Sequence, residues 1–544
     1  MRRGVPLTVA LAAVLWPHAA GAASVTKVAA NKVVLPNKPF YVQVTASERA
    51  SRVRATNIAI TSAGRPLAKR KVTFRPRRRS TVKIPIRLTT LGPNPITVAV
   101  SGNRTRRLTV DVVEFRPRTA AVIVPEFAGY GGQFNHHVYS VLSKSVGVSD
   151  ENVVDMENKM RALHPQFSRI FFTPQAFTDP DKLQSFIRTV QFAQSTGTDI
   201  NVTWQGGTFQ PQRFADVLID LVQRRGITHL RWVTLQNEPN RTRMSMEAYE
   251  KQYRDLDPLI QSIRGQVRYM GGDLVRGPDT GLPNQDVWFQ YLATHMSDLL
   301  DAYSIHVFWD YWDTAKLVAR LTEVRAIVDA LPEAGRKPVY VAEYGVRGLR
   351  TFDGAPQVDP GVWEDGTPMT QTNVSAFQQA WFDILAADLG FIGTSKWDLY
   401  YGKYDNGTQA NYIIGGPQFG WPLYPLYNFL QLLTTTTKPG WQVVAVDSVP
   451  ATSRLLAAFL GKSKQLTVVG LDTLGAQLNA GTTTNSTYTI GGFKPSRPVN
   501  LLIWNANADG LIAPRQTVTA DANGVVAVTI PQHAVFVLTT VRLG

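Results

Sequence analysis

From about residue 120 the chain alternates apolar β-type runs with helical patterns. On both sides of that stretch it holds only short β-branched runs broken by Pro, Gly and Asn. Together these predict an α/β fold: a (β/α)8 TIM barrel flanked by an N-terminal immunoglobulin-like β-sandwich and a C-terminal β-sandwich. The expected divisions are 1–23 for a leader, 24–117 for the first sandwich, 118–437 for the barrel and 438–544 for the last domain. A chain of 544 residues is long enough for these separate cores.

The first residues read as a secretory signal peptide. Arg2 and Arg3 supply the charge, Leu7 to Trp16 a short apolar region, and Ala20-Gly21-Ala22 a small-residue cleavage site near Ala22 or Ala23. That apolar region is too short to span a bilayer, and no later stretch is long enough for a transmembrane segment. The expected location is secreted or extracellular, with association to the cell envelope as a further option. The chain has no cysteine, which excludes disulfides and thiolate metal sites.

Between residues 24 and 117 the runs Phe40-Tyr41-Val42-Gln43-Val44, Ile58-Ala59-Ile60, Val82-Lys83-Ile84-Pro85-Ile86 and Ile96-Thr97-Val98-Ala99-Val100 carry the sandwich pattern. The charge here is lopsided. Residues 24–118 hold 21 Lys and Arg against 3 Asp and Glu, a balance of +18, whereas the whole chain is +16. Arg75, Arg77, Arg78 and Arg79 form the densest run. One reading is a solvated surface; the other is an anchor for an anionic cell-envelope polymer, a membrane surface or an acidic glycan. Nucleic acid is not expected, because no recognition helix, zinc spacing or RNA-binding aromatic motif is present.

Candidate barrel strands are Ala121–Val124, Arg169–Phe172, Asp199–Thr203, Leu230–Leu235, Val267–Gly271, Ala302–Val307, Val339–Ala342 and Thr394–Leu399. Helical patterns at Asp181–Ser195, Pro211–Arg225, Met246–Arg264, Thr314–Leu331 and Asn373–Leu389 lie between them. Short strands return after residue 440, at Val443–Val446, Leu455–Phe459, Leu466–Val469, Val499–Trp504 and Val535–Leu538.

Two of the barrel runs end in a carboxylate. Trp232 to Leu235 runs into Gln236-Asn237-Glu238-Pro239, where Pro239 cannot donate to a ladder and stops the strand. Val339-Tyr340-Val341-Ala342 runs into Glu343-Tyr344-Gly345. Active sites of such barrels lie at the strands' C-terminal ends, so the two glutamates suggest an acid/base and nucleophile pair.

These stretches resemble the clan A retaining glycoside hydrolases, the barrel group that includes the cellulase-like families 5 and 39. The resemblance covers roughly residues 118–435. It implies that Glu238 is the general acid/base and Glu343 the nucleophile of a double displacement on a carbohydrate. It also implies that Asn237 binds the sugar 2-hydroxyl, that His306 at the end of strand six belongs to the site, and that Trp397 on strand eight floors the sugar subsite. Phe308 stands where relatives carry a tyrosine, and Tyr344 or Tyr311 is the alternative hydroxyl. Asn237 and Glu238 are adjacent, so they share a site only if the strand end departs from regular pleating.

Trp204, Trp309, Tyr311, Trp312, Trp363, Tyr400 and Tyr401 lie on candidate strand-end loops as possible sugar platforms. Asn135 and His136 follow the Gly129-Tyr130-Gly131-Gly132 segment and are candidates for a substrate hydroxyl. His136 and His137 are adjacent, which does not suit joint ligation, so no metal and no cofactor is expected. The second functional reading is a catalytically inactive carbohydrate-binding or envelope-attached protein on the same barrel.

Overall fold

The computed structural model describes residues 23–47, 55–75, 78–276, 285–349, 361–404, 407–408, 411–417, 420–449, 453–474, 484–506 and 512–543. Residues 1–22 of the expected leader at 1–23 lie outside the described residues, as does Arg77. No helix among the described residues is long and apolar enough to cross a membrane.

Eight parallel strands close into a barrel: Gly129–Gln133, Phe167–Phe172, Asp199–Trp204, Leu230–Leu235, Arg268–Leu274, Ala302–Asp310, Val339–Arg347 and Gly393–Lys396. The second is buried at every position, because helices cover its outer face and packed side chains fill the interior. The covering helices include Pro180–Ser195, Pro211–Ile219, Met246–Leu256, Thr314–Ala330 and Asn373–Asp388. Local chemistry fixes where they begin. The Asp179 side chain accepts from the Asp181 and Lys182 amides, with Pro180 as the first helical residue. Ser245 and Thr372 cap their helices through the amides of Ala248 and Ser375.

The first barrel strand differs from the sequence expectation. Ala121–Val124 ends a ten-residue strand, Phe115–Val124, that belongs to the C-terminal sheet. The barrel begins instead at Gly129–Gln133, inside a glycine segment that reads as a loop. Those glycines are required by close approach. A Cβ on Gly131 would lie 1.8 Å from the Phe167 carbonyl oxygen, and one on Gly132 would lie 2.6 Å from the Leu399 side chain.

The N-terminal domain is a sandwich of a three-stranded and a five-stranded sheet around one apolar core. Alternation sorts its residues: Phe40, Val42 and Val44 point inward, while Tyr41 and Gln43 are exposed on the outer face. At the other end of the chain a nine-stranded sheet incorporates Phe115–Val124. Tyr488 and Phe536 lie on strands that are not neighbours in it, yet their ring centroids are 4.6 Å apart. The sheet therefore folds over on itself around a second apolar core. Asp111 accepts a hydrogen bond from Asn523, and Glu114 pairs with Arg454, tying the end of the N-terminal sandwich to this sheet.

Candidate active site

The fourth strand stops at Leu235, and its chain then leaves the pleat. Gln236 (φ 65°) and Glu238 (φ 49°) both adopt left-handed backbone, which non-glycine residues seldom do. The double twist turns Asn237 and Glu238 toward one site, the departure from pleating that their adjacency requires. Asp273, on the fifth strand, has φ 48° as well. On the seventh strand the register against the sixth slips by one residue at Ala342, so Glu343 stands directly opposite His306.

His306 is the hub. Its Nδ1 lies 3.0 Å from Glu238 Oε1 and 3.3 Å from Glu343 Oε2, and its Nε2 faces Asp273 Oδ2 at 3.7 Å. An oxygen from each glutamate and a His306 nitrogen all fall within 4.8 Å of one another. Arg169, on the second strand and fully buried, is the counterweight. Its guanidinium donates to Glu343 and Asp273, to Asn237 Oδ1 at 2.6 Å and to Thr203 Oγ1 at 3.2 Å. Ser304 donates to Asp273 Oδ1 at 2.5 Å. From the solvent side, Arg241 donates to Glu238 Oε2 at 2.8 Å.

This arrangement sets the protonation order of the site. Burial opposes charge on His306, but the charges of Glu343 and Asp273 push its pKa up to about 9. Burial would raise Asp273, yet Arg169 and then His306 hold it well below the usual carboxylate range. Glu238 is also buried, but its hydrogen bond with His306 and the charges of His306 and Arg241 leave it below its ordinary value. Glu343 goes the other way: burial raises it, and His306 and Arg169 only partly offset that. At neutral pH the His306–Glu238 contact therefore carries one proton, on the imidazole.

Glu238, His306 and Glu343 are the one group among the described residues with donor atoms close enough to share a cation. Arg169 and Arg241 already occupy lone pairs on both carboxylates, so guanidinium groups supply the positive charge that this cluster needs.

Glu238, Glu343, Asn237 and His306 converge at the C-terminal end of the barrel. Trp397 stands half-buried on the same side, stacked on Tyr404 at 5.5 Å and packed against Phe171 at 5.6 Å. Asn135 and His136 are buried beside that cluster, with the His136 ring 6.0 Å from Tyr404. Burial, with the charges of His137 and Lys182, lowers the His136 pKa strongly, which leaves a neutral imidazole.

Three expected contacts lie elsewhere. Trp204 is fully buried among Phe172, Phe177, Phe209 and Phe214, between barrel and helices. Trp309 stacks on Phe382 and donates to Gln378 of the helix Asn373–Asp388. The Tyr344 hydroxyl donates to Asp383 on that helix, so it faces away from Glu343. Trp204 follows Thr203, which accepts from Arg169, and Tyr344 follows Glu343, so alternation sends both to the outer face. Trp312 by contrast is 52% exposed at the rim, beside Tyr311.

Arg169, Asp273, Ser304 and Arg241 are site residues that motif reading does not reach. The available signal is a charge in an otherwise apolar barrel strand: Arg169 in Phe167-Ser168-Arg169-Ile170-Phe171-Phe172, and Asp273 in Met270-Gly271-Gly272-Asp273-Leu274. A buried charge inside such a strand demands a partner of opposite sign.

No protein-family model and no curated protein matches the chain. Solved structures do match its fold. A family 30 endoxylanase from Clostridium papyrosolvens aligns with a TM-score of 0.52 at 12% identity, covering 78% of this chain and 99% of its own. A family 51 α-L-arabinofuranosidase from Bifidobacterium longum gives 0.53 at 12% identity, covering 79% and 99%. An endo-β1,6-glucanase gives 0.53 at 10% identity, covering 90% and 100%. What these likenesses show is the fold, a (β/α)8 barrel with an added β domain, which this chain shares with those glycoside hydrolases. The likeness does not single out families 5 and 39.

Proposed function

We propose that this protein is an exported, retaining glycoside hydrolase acting on a poly- or oligosaccharide. The observation that carries the reading is the pair Glu238 and Glu343 at the barrel's C-terminal end, with carboxylate oxygens within 4.8 Å. That spacing is nearer to the roughly 5–5.5 Å typical of a carboxylate attacking the anomeric carbon than to the roughly 6.5–9.5 Å of an inverting pair, and it supports the retaining reading. Glu343 attacks and forms the glycosyl-enzyme while Arg169 orients its carboxylate. His306 Nδ1, 3.0 Å from Glu238, passes its proton to Glu238, which delivers it to the leaving oxygen and is left ionised. The Glu238 carboxylate then takes a proton from the water that hydrolyses the intermediate and returns it to His306, and the cycle closes. In this reading Asn237, held by Arg169, binds the sugar 2-hydroxyl, and Trp397 packs on the apolar face of the ring. Export is part of the proposal, on the strength of the charged, apolar and small-residue sequence of the first 23 residues.

The test is release of reducing ends from a panel of polysaccharides, with Glu343→Ala as control. Release that disappears in the variant supports the reading. Release that persists in both Glu238→Ala and Glu343→Ala places the chemistry elsewhere. If the wild type binds glycans and cleaves none, the inactive carbohydrate-binding reading replaces this one.

A further inference from the structure

The charge of the N-terminal sandwich has a definite layout. Every described Lys and Arg from Lys27 to Arg107 is exposed, and none is ion-paired with another described residue. Its two described acids are engaged elsewhere. Asp111 is held by Asn523 and Glu114 by Arg454, both at the junction with the C-terminal sheet. Glu48 lies outside the described residues.

Not all of these cations call for a ligand. Lys69, Arg70 and Lys71 lie on Arg65–Thr73, the edge strand of the five-stranded sheet. Charge on an exposed edge prevents strand-to-strand aggregation, which accounts for them without a partner. The three-stranded sheet, Ser24–Ala29, Phe40–Ser47 and Ser80–Ile86, is different. Its cations Lys27 and Lys83 also lie on edge strands, but the middle strand between them presents an exposed aromatic ring, which edge protection does not explain. Tyr41 is 51% exposed there, opposite Pro85. Gln43, two residues on, is paired across the strands with Lys83, and Lys27 is paired with Thr45 one further step along. Tyr41, the Gln43–Lys83 pair and Lys27 thus form a line about 13 Å long, at roughly 3.3 Å per residue.

We infer that this face docks an anionic polysaccharide. An exposed ring packs on the apolar side of a sugar. Gln43 offers an amide for hydroxyls, and Lys83 and Lys27 meet carboxylate or sulfate groups spaced along the polymer. Charge complementarity selects the polyanion, and Tyr41 selects a sugar chain over a featureless one. The face concentrates the enzyme on an acidic glycan through contacts that take no part in bond cleavage.

Binding of the full chain to polygalacturonate, a neutral glucan and double-stranded DNA, by affinity electrophoresis at low and high salt, tests this without any turnover. A failed glycosidase assay therefore leaves this result standing, and the reverse also holds. Retention by polygalacturonate but not by the glucan is expected, with loss at high salt. Lys27→Glu with Lys83→Glu should weaken it by about tenfold or more, since each phosphate- or carboxylate-type contact removed also removes its counterion release. Tyr41→Ala leaves the charge unchanged and should still weaken it several-fold. The pair Lys251→Glu and Arg325→Glu, on barrel helices, should leave it unchanged. Equal retention on the neutral glucan, or binding to polygalacturonate that ignores Tyr41→Ala, would overturn the proposal. So would DNA binding as tight as polygalacturonate binding with the same indifference to Tyr41.

Discussion

The barrel and the N-terminal sandwich are both rich in arginine, but they use it in opposite ways. On the barrel helices Arg161 pairs with Glu157, Arg225 with Asp220, Arg254 with Glu250, Arg264 with Asp257 and Arg325 with Asp329. Inside the barrel Arg169 meets Glu343 and Asp273 with no exposure at all. On the sandwich the cations stand in solvent without described carboxylate partners. Buried charge has to be compensated where it sits, so the barrel's cations are parts of its framework and site. Exposed charge costs little to leave uncompensated and so remains available to something outside the chain.

The largest expected effect follows from that contrast. Arg169→Ala leaves Glu343 and Asp273 buried without their cation and should lower unfolding stability by about 3–5 kcal/mol, with loss of turnover. Lys83→Ala on the sandwich should stay within about 0.5 kcal/mol. Denaturant unfolding of both variants checks this, and comparable costs at the two sites would break the comparison.

Two tryptophans sharpen it within the barrel. Trp204→Ala empties a closed aromatic cluster and should cost about 3–5 kcal/mol of stability. Trp397→Ala opens a half-buried rim position and should instead lower kcat/KM by roughly tenfold, the size that one aromatic face supplies, with little change in stability. The pair of melting curves and rate constants separates packing from binding. A stability loss at Trp397 as large as that at Trp204 would make it a core residue.

Those two residues also show how far the sequence is legible. Strand-end position is readable, but facing is not when the strand end is irregular. Trp204, Trp309 and Tyr344 sit near the right strand ends, and alternation turns them outward. Asn237 and Glu238 break alternation through two left-handed residues, and no propensity marks Gln236 for that. The eight-strand count was correct, and strand four was legible to the residue, Leu230–Leu235. Strand one was not, because Gly131 and Gly132 serve close packing where glycine ordinarily signals a turn. The convergence of Glu238 and Glu343 was legible from Asn-Glu-Pro and its partner run, whereas Arg169 and Asp273 join the site through contacts between strands distant in sequence.

A smaller effect concerns pH. His306, held near pKa 9 by the surrounding carboxylates, keeps the site's proton in alkaline solution. The wild-type kcat/KM should therefore fall only above about pH 9. In His306→Ala the proton must reside on a carboxyl group, so the alkaline limb moves toward lower pH. The lost cation no longer favours ionised Glu343, so the acid limb moves toward higher pH. The profile narrows from both sides. An alkaline limb left in place by the substitution would remove His306 from proton supply.

The most direct measurement of the catalytic assignment is the stereochemistry of azide rescue. With Glu238→Ala and a dinitrophenyl glycoside, the leaving group needs no proton, so Glu343 still forms the glycosyl-enzyme, which then accumulates for want of a base. Azide needs no deprotonation and should attack that intermediate, giving a glycosyl azide of retained configuration by NMR. In Glu343→Ala azide occupies the vacated nucleophile space and should give the inverted product. An inverted product from the Glu238 variant together with a retained one from the Glu343 variant would contradict the roles assigned to the two residues.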